Sequence, residues 1–342
     1  EWTWSRHAGV STVVDVVDRL VPALLCGAAF VLLAEWGRRR ILRVGRRGKA
    51  GLYMLLMLVA ASWIMSVQKS TPVAYRDIKP LWVLYDRSSS GYFIEAATRI
   101  DSADEFLKTY EARMEEGDVL HVGTHPPGLF LLAFGCLEIC RSSESICSLV
   151  DAFHSRHERE AFRLVETETR YATALDRYDL AGLQLLSLVT SSAVVLAIVP
   201  LALLCCHLYG HATAWQCCCL WPLLPCLAIF LPKSDLLFPL TCLSVLSLMA
   251  FAMQNRKTVM LAVPAGLVLW VGLLLSLAHL PIIFLLSVFS LLRFVKFGWS
   301  TLKRDACVFG IMMFTVAAAA IVFDIVYHCN LLNVWLWNLT NH

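Results

Sequence analysis

Six side chains sit where acid–base or phosphate chemistry could be done: Asp86, Arg87, Glu95, His125, Lys233 and Asp235. Asp86 and Arg87 open a polar turn, Asp86-Arg87-Ser88-Ser89-Ser90-Gly91-Tyr92-Phe93, straight after the apolar run Trp82-Val83-Leu84-Tyr85. A carboxylate on such a turn can take a proton from an acceptor hydroxyl or hold a metal, although most loop acids do neither. Glu95, a few residues on, competes for the same role. His125 precedes Pro126-Pro127-Gly128, where two prolines fix an extended turn and keep the following helix from starting early. An imidazole presented there could bind a phosphate as a cation or donate a hydrogen bond near neutral pH. The plain alternative is a helix-start signal with an incidental neighbour. Lys233 and Asp235 stand between two apolar runs, and an ionisable residue at a span end is a functional candidate by default. It can equally be a boundary acid paired with Lys233. His279, at the Leu277-Ala278-His279-Leu280-Pro281 break, is a weaker candidate of the same kind.

The elements that must position these residues are membrane spans. Hydrophobic residues make up 58% of the 342 residues and the mean hydropathy is +0.65, leaving too few polar residues to clothe a soluble domain. The net charge of +3 gives a nucleic-acid partner no electrostatic footprint. A span needs about 20 apolar residues, and eight windows qualify: 16–36, 50–67, 182–208, 213–231, 236–253, 258–277, 280–295 and 306–328. Several carry proline (Pro222, Pro225, Pro264, Pro281), and the seventh is the shortest. Basic residues in short loops favour the cytoplasmic side. Arg38 to Lys49, Arg256 with Lys257, and Arg293 to Arg304 all fall on one side if eight spans are counted. The opposite side then receives the 68–181 loop, Pro232-Lys233-Ser234-Asp235, the Ala278-His279 turn and the C-terminal tail. The organisation is therefore two spans with a basic loop (1–67), a large extracytoplasmic loop (68–181) and a transmembrane bundle (182–342).

Within the loop, Asp101-Ser102-Ala103-Asp104-Glu105-Phe106 predicts a helix start. Gly128 to Cys140 predicts a helix at the interface, being too short to span. His154 to Tyr178 predicts a charged surface helix. Most of the 13 cysteines lie in apolar runs, where cysteine packs as a small hydrophobe. Cys136, Cys140 and Cys147 could form a disulfide in an oxidising space. Asn338-Leu339-Thr340 is a glycosylation sequon on the outer side, beside Trp335 and Trp337, which suit an interfacial aromatic belt. A chain that starts with Glu1 and stops after a tryptophan-rich stretch is expected to be a piece of something longer.

The order of these motifs resembles the GT-C type polytopic membrane glycosyltransferases, in the branch of the lipid A aminoarabinose and protein O-mannosyltransferases. In that family the first extracytoplasmic loop opens with an acidic motif followed by a tyrosine and a small residue, and ends with a Pro-Pro element heading an interfacial helix. Asp86 to Ala96 and His125-Pro126-Pro127-Gly128-Leu129 follow that order. Leu208-Tyr209-Gly210 and Pro232-Lys233-Ser234-Asp235-Leu236-Leu237-Phe238 match the family's later turn and its outer-side aspartate. The likeness covers roughly 50–295. It departs at the family's adjacent acid pair: with Tyr92 aligned, Ser89 and Ser90 occupy the acidic places. Either Asp86 reaches the same point from a different turn, or Glu95 serves, or the chain is inactive.

The resemblance implies an all-α, GT-C-like bundle with a large first loop of interfacial helices. It also implies inverting transfer of a sugar from a polyprenyl-phosphate donor to a lipid, glycan or protein acceptor at the outer leaflet. In that scheme Asp86 or Glu95 is the base and Asp235 a second acid or metal ligand. His125, Lys233 and Arg87 are candidates to hold the phosphate, with a divalent metal ion an optional cofactor. The implied location is a bacterial plasma membrane rather than the endoplasmic reticulum. A flippase or transporter of a lipid-linked substrate and a non-catalytic membrane subunit are the alternatives, the first disfavoured by the lack of paired charges at mid-depth.

Overall fold

The computed structural model describes residues 13–71, 78–87, 89–116, 123–153, 156–169, 175–254 and 256–341, and among them every regular element is helical. Two long helices, α1 (Val13–Arg40) and α2 (Arg46–Lys69), precede a loop of seven short ones. These are α3 (Ile78–Tyr85), α4 (Tyr92–Arg99), α5 (Ala103–Lys108), α6 (Tyr110–Glu115), α7 (Gly128–Ser142), α8 (Glu144–Asp151) and α9 (Arg156–Thr169). The rest of the bundle is α10 (Arg177–Leu196), α11 (Ile198–Tyr209), α12 (His211–Leu220), α13 (Pro225–Ile229), α14 (Phe238–Ala252), α15 (Ala262–Leu275), α16 (Leu280–Phe297), α17 (Trp299–Tyr327) and α18 (Leu331–Asn341).

Among the described residues, seven helical stretches are long and apolar enough to cross a membrane, with α10 and α11 counting as one, so the protein is an integral, multi-pass membrane protein. The outward-facing side chains agree: Leu24, Leu32, Leu58, Phe284, Phe314 and Ile325 are largely exposed, which only a lipid environment tolerates at such density. One expected span is corrected. The window 213–231 is not a single helix, because Pro222 and Pro225 divide it into α12, a 3-10 turn at Trp221–Leu223 and α13. Proline lacks the amide proton and its ring clashes with the preceding turn, so the helix cannot run through. The broken segment still travels the length of the bundle. Its start is pinned by Trp215 Nε1 donating to Ala34 O near the end of α1 (2.9 Å), and its finish by Gln68 Nε2 at the far end of α2, donating to Ala228 O and Leu231 O.

A chain of contacts gathers the three basic loops at one end. Tyr53, early in α2, meets Cys206 late in α11; the His207 ring lies 4.5 Å from that of Phe251 at the end of α14. Arg293 at the end of α16 bonds Met253 O (2.9 Å) and the fully buried Asp305 of α17 (2.7 Å), and Arg304 reaches Gln254 O. Here Asp305 is shared between two guanidinium groups where three helices finish or begin.

The opposite end carries the loop helices, packed around Phe130 of α7. Its ring meets those of Tyr92, Phe106 and Tyr110 at 5.1, 5.8 and 6.3 Å. The expected helices at 101–110 and 128–140 are α5 and α7; α9 covers most of the charged segment, whose residues 154–155 and 170–174 lie outside the described ones. An aspartate capping box starts α10, with Asp176 and Asp179 each accepting the other's backbone N–H. Arg141 at the end of α7 then locks onto Asp179 at 2.8 Å. On the other flank, Glu111 of α6 accepts from Asn330 N and Asn333 Nδ2 and so ties α18 to the loop. The cysteines of the described chain are free thiols. Asn338 of the sequon is fully buried and its amide has no hydrogen-bond partner among the described residues, so this fold does not present it for glycosylation.

Candidate functional site

The first site element is the turn between α3 and α4. The carbonyl of Asp86 accepts from the backbone N–H of Ser89, Ser90 and Gly91 (3.1, 3.0 and 3.2 Å), folding the chain back within six residues. Gly91 closes the turn at φ +65°, a left-handed conformation that an L side chain resists. Asp86 itself is buried, Arg87 is exposed, and Ser88 lies outside the described residues. The tight turn delivers Tyr92, the first residue of α4, to the centre of the loop.

His125 reaches the same place from the Pro-Pro side. The Tyr110 hydroxyl donates to His125 O at 2.5 Å, and Thr124 Oγ1 lies 2.9 Å from His125 Nδ1. Directly after the prolines, Gly128 packs so closely on the end of α15 that a Cβ there would lie 2.4 Å from Leu274 O. The His-Pro-Pro-Gly element is therefore anchored on both flanks, and the imidazole meets the Tyr92 ring edge to face with centroids 5.7 Å apart.

Asp235 comes from a distant part of the sequence, in the 3-10 turn Ser234–Leu237 that packs on α10. Burial first, and then the charge of Asp235, push the Tyr92 phenol above its ordinary range, which puts Asp235 within electrostatic reach of the loop tyrosine. Lys233 Nζ is 3.5 Å from Asp235 Oδ2 with the carboxylate about half exposed (51%). A pair so open to water contributes at most about 1 kcal/mol, so little prevents either partner from turning to a ligand. Asp235 is thus paired with Lys233 and within electrostatic reach of the loop tyrosine.

Three further candidates have their own surroundings. Glu95 is buried and paired with Arg99 on its own helix at 3.4 Å. Arg87 stands out toward solvent on the turn. His279 is fully buried, its Nε2 2.6 Å from Thr241 Oγ1, its Nδ1 2.9 Å from Ser276 O, and its ring against Gly272. That is a strut between α14 and α15 rather than a group facing a ligand.

Beside this assembly a groove of about 560 Å³ runs between α2 and α10. Met54, Met57, Leu58, Ala61, Ile64 and Met65 form one wall, and Leu188, Val195 and Leu196 face them with Ser187 and Ser191 between. Its loop-end mouth carries Gln68, Lys69, Glu158 and Leu231. Leu231 is two residues before Lys233 and four before Asp235, so the apolar wall leads directly to the charged turn.

Sequence reasoning named the acids and the histidine but gave no role to Tyr92, which touches His125 and feels Asp235, nor to Gln68 and Lys69 at the groove mouth. The spacing of Gly91-Tyr92 after the acidic turn was the available signal for the first; for the others there was none. Among the described residues no three His, Cys, Asp or Glu side chains gather closely enough to hold a metal ion. Comparison of the chain with protein-family models, with curated proteins and with solved structures returns no match.

Proposed function

We propose that this protein is a GT-C type membrane glycosyltransferase that moves a sugar from a polyprenyl-phosphate donor to an acceptor at the non-basic face of the membrane. The observation that carries the reading is the continuity of groove and charged turn: Leu231 lines an apolar slot between spans, and Asp235 lies four residues on, within electrostatic reach of Tyr92, whose ring meets that of His125. An isoprenoid tail is the kind of guest that fits a slot walled by Met, Leu, Ile and Ala side chains and open at a polar mouth. Lys69 and Lys233, at or next to that mouth, supply positive charge where the donor phosphate would sit, with His125 as a further donor.

In this scheme the acceptor hydroxyl attacks the anomeric carbon from the face opposite the phosphate. The carbon–oxygen bond to phosphate breaks, polyprenyl phosphate leaves with the electron pair, and the hydroxyl proton passes to a carboxylate. Asp235, exposed and weakly paired, is the better placed base; Asp86, buried under its turn, positions Tyr92 and the donor sugar. This reverses the order of preference that the family likeness suggested, and Glu95, engaged with Arg99, drops behind both. A bacterial plasma membrane suits a donor of this class.

The test is transfer from a radiolabelled polyprenyl-phosphate sugar by membranes carrying Asp235→Asn or Asp86→Asn. Loss of transfer by about a hundredfold or more with unchanged membrane expression supports the reading. Full transfer by both variants removes it.

A further inference from the structure

At the basic end, far from the loop, a thiol and an imidazole meet where α11 turns into α12. Cys206 Sγ lies 3.1 Å from His211 Nδ1 and 3.7 Å from the Tyr53 hydroxyl. Gly210, at φ +84°, turns the chain sharply enough to bring the first residue of α12 back beside the last turn of α11. His211 is exposed, and Cys206 is part-exposed. Along α11 and the end of α10, Leu203, Val199 and Leu196 follow Cys206 at steps of three, four and three residues, so they share its helix face. All three are more than 40% exposed. Leu196 also lines the groove, about 15 Å of helix from Cys206.

We propose that Cys206 is a site of S-acylation by a long-chain acyl thioester, with His211 as its base. A sulfur nucleophile must lose its proton in such a transfer, and an imidazole at 3.1 Å is placed to take it. Cys206 Sγ attacks the carbonyl carbon of the donor thioester while its proton passes to His211 Nδ1. The new carbon–sulfur bond forms, the donor's carbon–sulfur bond breaks, and the departing thiolate takes the proton from the imidazole. The attached chain lies along Leu203 and Val199 toward Leu196. The Arg43, Arg46, Arg47 and Lys49 loop at the same end supplies the charge to receive the anionic phosphates of a coenzyme A donor. The inference stands apart from the sugar-transfer reading and survives its failure.

Two other cysteines serve as internal controls. Cys226 and Cys307 are exposed, more so than Cys206, so accessibility alone would label them first. The full chain in lipid nanodiscs is incubated with an alkyne-tagged palmitoyl coenzyme A at neutral pH, and the hydroxylamine-labile label is mapped by peptide mass spectrometry. Cys206 is expected to be labelled ahead of both controls, and His211→Gln to slow its labelling about a hundredfold while leaving theirs unchanged. Equal or faster labelling of Cys226 or Cys307, or unaltered labelling of Cys206 in His211→Gln, overturns the proposal.

Discussion

The rings of Tyr92 and His125 meet edge to face, 5.7 Å between centroids and 74° between planes, although 33 residues separate them in the chain. The same phenol sits in the field of Asp235, and burial and that charge together hold its proton on. A raised phenol pKa has a definite sign in stability. Below about pH 10, the ordinary tyrosine range, folded and unfolded chains both carry the proton and the contribution of the buried neutral ring is complete. As pH rises further the unfolded chain ionises first, and the contribution is lost. The wild-type protein should therefore lose more melting temperature between pH 9 and pH 11 than Tyr92→Phe, by differential scanning fluorimetry in detergent. Parallel curves would contradict the assignment.

Gly128 and Gly135, on one helix, should respond oppositely to alanine. A Cβ at Gly128 meets the Leu274 backbone at 2.4 Å, which cannot rotate away, whereas a Cβ at Gly135 meets nothing within 4 Å. Gly128→Ala should cost about 1–3 kcal/mol through overpacking. Gly135→Ala should gain about 0.5–1 kcal/mol from reduced chain entropy. Thermal melts of the two purified variants give the comparison directly.

Asp305 is fully buried and serves two arginines, with Arg293 at 2.7 Å and Arg304 at 3.7 Å. Asp305→Asn keeps the shape and removes the charge, leaving Arg293 largely enclosed beside a neutral amide. A loss of about 3 kcal/mol is expected, typical of breaking a buried pair from one side. Pairing the change with Arg293→Met should recover much of it. Detergent melts of the single and double variants would show whether the charge, rather than the packing, is what matters.

Filling the groove should exclude its guest without disturbing the charged turn. Ala61→Trp places an indole between α2 and α10, beside Ile64 and opposite the serines. Native mass spectrometry should then show at least a tenfold drop in bound polyprenyl phosphate relative to wild type, while Leu24→Trp, on a lipid-exposed face, leaves binding intact. Equal retention by both variants would locate the lipid elsewhere.

Much of the architecture was legible because hydropathy and proline act locally. The long apolar runs became helices, Pro126-Pro127 set the start of α7, and the basic residues of three separate loops came together at one end. The 213–231 window misled because Trp, Leu and Cys keep its average hydropathy high while Pro222 and Pro225 interrupt the backbone, a fact that averaging hides. The site was legible as residue types and not as a meeting place. Nothing local says that Tyr92 will face His125, or that Asp235, 143 positions beyond Tyr92, will share their corner. The groove was invisible for a related reason: Met57, Ala61 and Ile64 at helical spacing look the same whether they face a neighbour, lipid or a cleft.

Gln68 has two attachments, one to the wall of the groove and one to the carbonyls of Ala228 and Leu231. A guest wide enough to spread α2 from α10 must carry that amide with it, and the amide holds the backbone just short of Asp235. Loading from the bilayer and alignment at the water boundary then become one movement, with the side chain of a single glutamine as the linkage.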